Sequence, residues 1–190
     1  AVPLPESVQA LIGARLDTLS VDRKSLLQNA SVIGKVFWSG ALASMGAVDD
    51  RAVRDGLHDL ARKEFVRTMR TTSVQDQTEY SFWHALVRDV AYGQIPRAER
   101  AAKHLAVAEW IERALGERVS DQSEFLAYHF ERALDLTVAA GGDPGDDLRR
   151  KASQAMEMAG DRAVRLDVAK AIGFYRRAEA LLPAGDPSLP

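Results

Sequence analysis

The sequence has no cysteine, no long apolar run and little net charge. Without cysteine the chain can form neither a disulfide framework nor a thiolate metal site, which is typical of a cytosolic protein. No segment approaches the roughly 20 apolar residues that cross a bilayer, so we predict a cytoplasmic protein without membrane contacts. The net charge of -2 over 190 residues provides no general attraction to nucleic acid or anionic lipid.

Sequence signatures of enzymes are missing as well. Gly34 and Lys35 match the end of a phosphate loop, but the upstream glycine and the Ser or Thr after the lysine are absent. No dinucleotide-binding glycine motif, zinc-protease motif or nucleophile elbow occurs. We therefore predict that the chain is not an enzyme, that it holds no metal, and that it does not bind ATP tightly by itself.

The composition is that of a globular chain, with 46% hydrophobic and 27% charged residues. The first residues, AVPLPESVQALIG, lack an initiator methionine, and the last, LLPAGDPSLP, are rich in proline. Both ends resemble boundaries within a longer protein, so we expect further domains on either side.

Apolar residues spaced by three and four positions predict helices along most of the chain. One region differs: KEFVRTMRT and TEYSFWH are rich in β-branched and aromatic residues and flank the polar TSVQDQ, which predicts a β-hairpin. Pro5 favours the start of the first helix, and Pro96 separates two later helices. The predicted helices cover roughly residues 6–19, 21–33, 36–46, 52–60, 85–95, 97–115, 125–134, 147–160 and 164–182.

Helices followed by a hairpin and a further helix give the order of elements of a winged-helix module. Beyond Gly116 the sequence changes to alanine-rich helices paired by short loops, which favour a repeat over a closed bundle. We predict a mainly α fold in two domains. Residues 1–116 form a helical linker and a winged-helix domain with one β-hairpin, and residues 117–190 begin an arm of tetratricopeptide-like helical hairpins.

The last predicted helix has the spacing of a repeat. Ala171, Tyr175, Ala178 and Pro183 give small, aromatic, small and proline positions, which resemble the second helix of a tetratricopeptide repeat. The small residues let a neighbouring helix approach, and the aromatic ring fills the groove between the helices. Arg162 departs from the family, which has an aromatic residue at that place. An arbitrary helical hairpin is the alternative interpretation.

A winged helix raises the question of DNA binding. The segment in the place of a recognition helix, DDRAVRDGLHDLARK, carries four basic residues, but four carboxylates offset them. A helix lying in a major groove should not present so many carboxylates to phosphates. The sequence therefore argues against nucleic acid as a partner, and a DNA-binding regulator is the alternative function. The carboxylates are those of Asp49, Asp50, Asp55 and Asp59.

Three of the four histidines lie on predicted helices. His58 stands beside an aspartate, and His104 and His129 stand beside apolar residues. Because none of them has a second histidine three or four positions away on the same face, a metal site is not indicated. We interpret each of them as structural or exposed.

The fourth histidine stands where the pattern changes. In YSFWHALVRDVAYGQ, from Tyr80 to Gln94, strand-like alternation turns into a helical pattern without an intervening glycine or proline. His84 lies at this junction. Its imidazole is either buried and bonded to a local carbonyl, or it is a polar group that the surrounding residues direct at a ligand.

The run FWHALVRDVAY resembles the motif that closes the winged-helix domain of the STAND signalling ATPases, a class that includes the NB-ARC proteins of plant immunity and animal cell death. The family consensus is Met-His-Asp followed by an apolar helix start. Trp83, His84 and Leu86 fall on this pattern, and Ala85 stands in place of the aspartate. The chain is most similar to bacterial members attached to adenylate or guanylate cyclase domains or to transcriptional activators.

The resemblance implies a function that needs a domain outside this chain. In the family, the histidine donates a hydrogen bond to the β-phosphate of ADP held by a separate ATPase domain. It follows that His84 would be the cofactor-binding residue, that ATP and ADP would belong to the parent protein, and that the upstream ATPase domain would be the main partner. The helical arm would carry further repeats or bind a protein partner. A scaffold that acts only through the repeats is the third hypothesis.

Overall fold

The computed structural model describes residues 6–182, so Pro5 and Pro183 lie outside the described residues. The chain divides after Pro96 into two compact units, Ala1–Pro96 and Arg97–Pro190. The sequence pattern placed the domain boundary at residue 116. The helix that begins at Arg97 belongs to the second unit because it packs along the helix that follows it.

Within residues 6–96, the first unit contains five helices and three short strands. The connections between the elements are short except for the loop between the second and third strands. The elements are α1 Glu6–Asp17, α2 Val21–Ile33, β1 Val36–Trp38, α3 Ser39–Gly46, α4 Asp50–Arg62, β2 Val66–Thr68, β3 Glu79–Phe82 and α5 Ala85–Gly93.

The three strands form an antiparallel sheet in the order β1-β3-β2. The predicted hairpin is confirmed, because β2 pairs with β3. The predicted helix over residues 36–46 is wrong at its start: β1 is a strand paired with β3, and α3 begins only at Ser39. The aromatic residues explain the difference. Phe37 stacks on Tyr80 with 5.9 Å between ring centroids, and the indole Nε1 of Trp38 donates to Glu79 at 3.0 Å.

The core of the first unit lies between the sheet and helices α2 and α4. Phe37 and Phe82 are almost fully buried and meet edge to face, with 5.4 Å between ring centroids. Burying one such side chain stabilises the fold by roughly 1.5–3 kcal/mol. Helix α4 begins at Asp50, and Asp49 caps it by accepting a hydrogen bond from the amide of Ala52 at 2.8 Å. The helix residues buried against the sheet include Leu27, Ile33, Leu57 and Leu60.

The second unit is helical throughout its described part. Each helix packs against the next along the chain, and small side chains line the contacts between them. Its elements are α6 Arg97–Leu115, a 3₁₀ helix Gly116–Gln122, α7 Ser123–Ala139, α8 Gly145–Ala163 and α9 Val168–Leu181. Buried alanines of the last two helices are Ala152, Ala155, Ala159, Ala163, Ala171 and Ala178.

Helices α8 and α9 approach closely at Gly160. An ideal Cβ built on Gly160 would lie 2.6 Å from Cε1 of Tyr175, so the tyrosine ring occupies the space that a side chain would fill. The phenol of Tyr175 donates to Asp161 at 2.7 Å, and this bond raises the pKa of Tyr175. Ser153 adds a hydrogen bond from its hydroxyl to the carbonyl of Ala178 at 3.1 Å. Two of the predicted positions, Tyr175 and Ala178, thus lie at the α8–α9 contact.

Candidate functional site

His84 is exposed to solvent at the junction of β3 and α5. It occupies the N-cap position with extended dihedral angles, φ -133 and ψ 135, and its backbone carbonyl accepts from the amide of Val87 at 3.1 Å. The imidazole does not cap the helix. The interpretation of His84 as a buried histidine is therefore wrong, and its ring is available to a ligand.

The backbone on both sides of His84 is held firmly. The amide of Phe82 donates to the carbonyl of Lys35 at 3.1 Å, and the amide of Trp83 donates to the carbonyl of Phe65 at 3.0 Å. Helix α5 is fixed in turn because the guanidinium Nε of Arg88 donates to the carbonyl of Ser31 at 3.0 Å. Because the backbone that carries His84 is already fixed, binding of a ligand by its ring costs little backbone conformational entropy.

Two basic residues and a helix N-terminus lie at this end of the sheet. Arg15 donates to the carbonyl of Lys63 and lies over the ring of Phe65, 4.6 Å from its centroid. Lys35 directly precedes β1 and is exposed. The first turn of α5 contains no acidic residue, so the partial positive charge of the helix N-terminus is not offset there. Glu64 is an exposed carboxylate in the turn before β2. An imidazole in this setting can donate a hydrogen bond to an anion.

Helix α4 is less acidic towards solvent than its sequence indicates. Asp49 is engaged as the helix cap. Asp59 pairs with Arg23 at 3.4 Å and with Lys63 at 3.6 Å. Two of the four carboxylates counted against DNA binding are thus engaged within the protein, and Asp50 and Asp55 remain exposed.

His104 and His129 form a buried pair that the sequence did not predict. Both side chains are fully buried, and their Nδ1 atoms lie 2.8 Å apart between α6 and α7. Such a hydrogen bond requires that one ring carries its proton on Nδ1 and that the other Nδ1 is bare. The two residues are 25 positions apart on different helices, so no spacing within one helix could indicate the pair. The expectation of a structural role fits both, and His58 is exposed.

Two other features, a metal-binding cluster and a membrane-spanning helix, are missing from the part of the chain that the structure describes. Among residues 6–182, no group of three or more histidine, aspartate or glutamate side chains is placed to hold a metal ion. Over the same residues, no helix combines the length and the apolar character needed to cross a bilayer. Gly34 and Lys35 follow α2, as expected, and so do not form a strand-to-helix phosphate loop.

Comparisons with known proteins add nothing to this picture. No protein-family model, curated protein or solved structure matches the chain. What the site can do must therefore be argued from its own residues.

Proposed function

We propose that this chain is a regulatory, non-catalytic segment of a STAND ATPase, in which His84 contacts the phosphate of ADP bound to an upstream ATPase domain. The exposed, rigidly mounted imidazole of His84 carries the proposal. A histidine that served only the core would be buried and bonded to its surroundings. This one faces solvent where an outside ligand can reach it.

The order of elements in the first unit supports a winged-helix module. Helix α2 is followed by β1, two helices and then the hairpin, and β3 lies between β1 and β2 in the sheet. This is the helix, strand, helix, helix, strand, strand order expected for that module. In such a domain, His84 would follow the last strand and face a neighbouring domain.

The helix packing of the second unit supports its interpretation as a tetratricopeptide-like arm. The small residues of α8 and α9 and the contact of Tyr175 with Gly160 fit the packing of a repeat. The outer side of α9 also exposes Val168 and Ile172, and Leu166 before the helix is 90% exposed. Exposed apolar side chains in a row favour coverage by a further repeat or by a protein partner.

The chemistry suggests how the segment would act as a switch. ADP would hold the first unit against the ATPase domain through His84, and exchange for ATP would favour release. A ligand can shift this equilibrium only by its difference in affinity for the two arrangements. A single hydrogen bond to a charged phosphate, worth about 1.5–3 kcal/mol, is large enough to matter.

The test is His84→Ala in the longer protein that carries the ATPase domain. We expect ADP to dissociate about 10- to 100-fold faster, which corresponds to the loss of one charged hydrogen bond, and basal signalling to rise. The measurements are the ADP content of the purified protein and the rate of ADP release. His58→Ala is the matched control, since His58 is exposed on α4. Unchanged ADP retention and signalling in His84→Ala would contradict the proposal.

The isolated chain gives a second measurement. It should neither hydrolyse ATP nor bind it tightly, because the phosphate-loop motif is absent from the sequence. Micromolar ATP affinity in a calorimetric titration of this chain would show that the nucleotide site is not in a separate domain.

DNA binding is the second candidate function. It is favoured by the exposed Arg51, Arg54 and Arg62 on α4, which make no ion pair within residues 6–182, whereas Asp49 and Asp59 are engaged. A DNA-binding chain would shift a labelled duplex at low salt and lose affinity steeply as salt rises. Arg54→Gln would then weaken binding to all sequences and lower the salt slope. No shift at low salt would exclude this candidate.

A further inference from the structure

A cavity of about 370 Å³ lies between helices α2, α3 and α4 of the first unit. Its volume falls within the range of small-molecule sites, roughly 300–1,000 Å³. It is separate from His84, which is not among the residues that line it. Most of its wall is apolar, and the larger apolar side chains in it are those of Leu26, Leu42, Val48 and Val53.

The wall at the end of α3 is held in place by the backbone. Helix α3 ends at Gly46, and the amide of Val48 donates to the carbonyl of Ala43 at 3.3 Å. An ideal Cβ built on Gly46 would lie 3.2 Å from Cγ2 of Val48 and 3.8 Å from Nδ2 of Asn29, so a side chain at Gly46 would reduce the space beside Asn29. Because this wall is already formed, a ligand can enter at little conformational cost.

The polar residues of the cavity lie along one face of α2. Asp22, Ser25 and Asn29 occupy positions i, i+3 and i+7 of that helix. Leu26, at position i+4, lies between the two ends. Asn29 is 4% exposed, whereas Asp22, in the first turn of α2, is exposed. Seven residues of helix rise about 10 Å, so the carboxylate of Asp22 lies at the outer end of a largely apolar path of about that length.

The charge at the outer end of the cavity is negative. Asp22 and Arg23 are the charged residues of the lining. The guanidinium Nε of Arg23 pairs with Asp59 at 3.4 Å, so this positive charge is offset within the protein. Over residues 6–182, the side chain of Asp22 makes no ion pair or hydrogen bond. A carboxylate at the mouth of an apolar cavity favours a cation with an apolar body over a neutral or anionic molecule.

We propose that this cavity binds a small amine with a compact aliphatic body, and that the ammonium group of the amine pairs with Asp22. The aliphatic body packs against Leu26, Leu42 and Val53, where burial of apolar surface supplies most of the affinity. The ammonium group stays beside Asp22 at the solvent-exposed end, so neither charge loses its hydration. The first unit thereby has a ligand site that depends neither on His84 nor on a nucleotide.

The test is an NMR titration of the chain at pH 7 with 3-methylbutan-1-amine as the probe, followed through the methyl signals of Leu26, Leu42 and Val53. Two further probes separate the contributions, since 3-methylbutan-1-ol lacks the positive charge and methylamine lacks the apolar body. We expect millimolar binding of 3-methylbutan-1-amine. The alcohol should bind about two- to fivefold more weakly, as for the loss of one exposed ion pair, and methylamine should not saturate the site.

Two variants, each with a matched control, locate the site. Asp22→Asn should lower the affinity for the amine to that for the alcohol. Its control, Asp76→Asn, removes an equal charge from the exposed loop between β2 and β3 and should keep the preference for the amine. Ala52→Leu fills the cavity from an exposed position of the lining and should abolish binding of both probes. Ala14→Leu, at an exposed position of α1 outside the lining, should leave binding unchanged.

The proposal is overturned if the parent chain binds the amine and the alcohol equally well, or if methylamine binds as tightly as 3-methylbutan-1-amine. An undiminished preference for the amine in Asp22→Asn would overturn it as well, and so would full binding of the amine by a folded Ala52→Leu chain. His84→Ala should leave the titration unchanged, so failure of this site and failure of the nucleotide-sensing function are measured separately.

Discussion

Acidification from pH 7.5 to pH 5 is expected to lower the free energy of unfolding of the second unit by about 2–4 kcal/mol. The cause is the buried pair of His104 and His129. In the unfolded chain, both imidazoles take up a proton near pH 6.5. In the folded chain, the pair has room for at most one proton between its Nδ1 atoms, because two protonated Nδ1 atoms at 2.8 Å would repel and lose their hydrogen bond.

The sign follows from counting protons. Below pH 6.5 the unfolded chain binds more protons than the folded pair does, so stability is present above that pH and is lost as the pH falls. The lower figure holds if the folded pair takes up one of the two added protons, and the higher figure holds if it takes up neither. The rings of Phe125 and Tyr128 lie against the pair.

Urea unfolding at a series of pH values checks this prediction. The methyl signals of Ile111, which is buried on α6, report on the second unit. Replacing both histidines by leucine should flatten the pH dependence, because the two imidazoles that take up protons in the unfolded chain are then absent. Replacing His104 alone should cost about 1–3 kcal/mol at pH 7.5, since the buried Nδ1 of His129 then loses its hydrogen bond to His104. His58→Gln is the control and should leave the pH profile unchanged. An equally steep profile in the double variant would show that other groups cause the acid sensitivity.

Local patterns predicted most of the helices and the hairpin because the signals for them lie close together in sequence. Gly34 ends α2, and its amide bonds to the carbonyl of Ala30, as a glycine after an apolar helix indicates. The cap of α4 is equally local, since Asp49 bonds to the amide of Ala52 three residues on. Strand β1 was missed because three residues are too short to show a period and because helical residues follow at once. What makes it a strand is its pairing with β3, around Phe37 and Tyr80, which lie far apart in sequence.

The candidate site was only partly accessible from sequence. The change of period in YSFWHALVRDVAYGQ correctly located His84 at the junction of a strand and a helix. Its exposure could not be predicted, because a histidine flanked by apolar residues fits a core as well as a surface. The hydrogen bond from Phe82 to Lys35 that helps to fix its backbone depends on the register of β1 against β3, which no local sequence pattern predicted. The pair of His104 and His129 depends in the same way on how α6 packs against α7.

The contact between α8 and α9 leads to a prediction opposite to the usual effect of glycine in a helix. Alanine in place of a helical glycine normally stabilises a protein by about 0.5–1 kcal/mol. Gly160→Ala should instead destabilise the second unit by about 1–3 kcal/mol, because the new methyl group would meet the ring of Tyr175 at 2.6 Å. Gly173→Ala is the matched control: no atom lies within 4 Å of the position that its methyl group would take, so it should show the usual gain.

A double-mutant cycle identifies the cause. The three atoms nearest to the new methyl group all belong to Tyr175, so Gly160→Ala should lose its penalty in a Tyr175→Ala background. Denaturant unfolding of the four proteins gives the coupling energy, which we expect to be at least 1 kcal/mol, on the order of that found for residues in contact. Two results would contradict this account: a gain in stability from Gly160→Ala, or an equal loss in both backgrounds. Either would mean that Tyr175 moves aside at little cost and that the absence of a side chain at Gly160 does not set the close approach of α8 and α9.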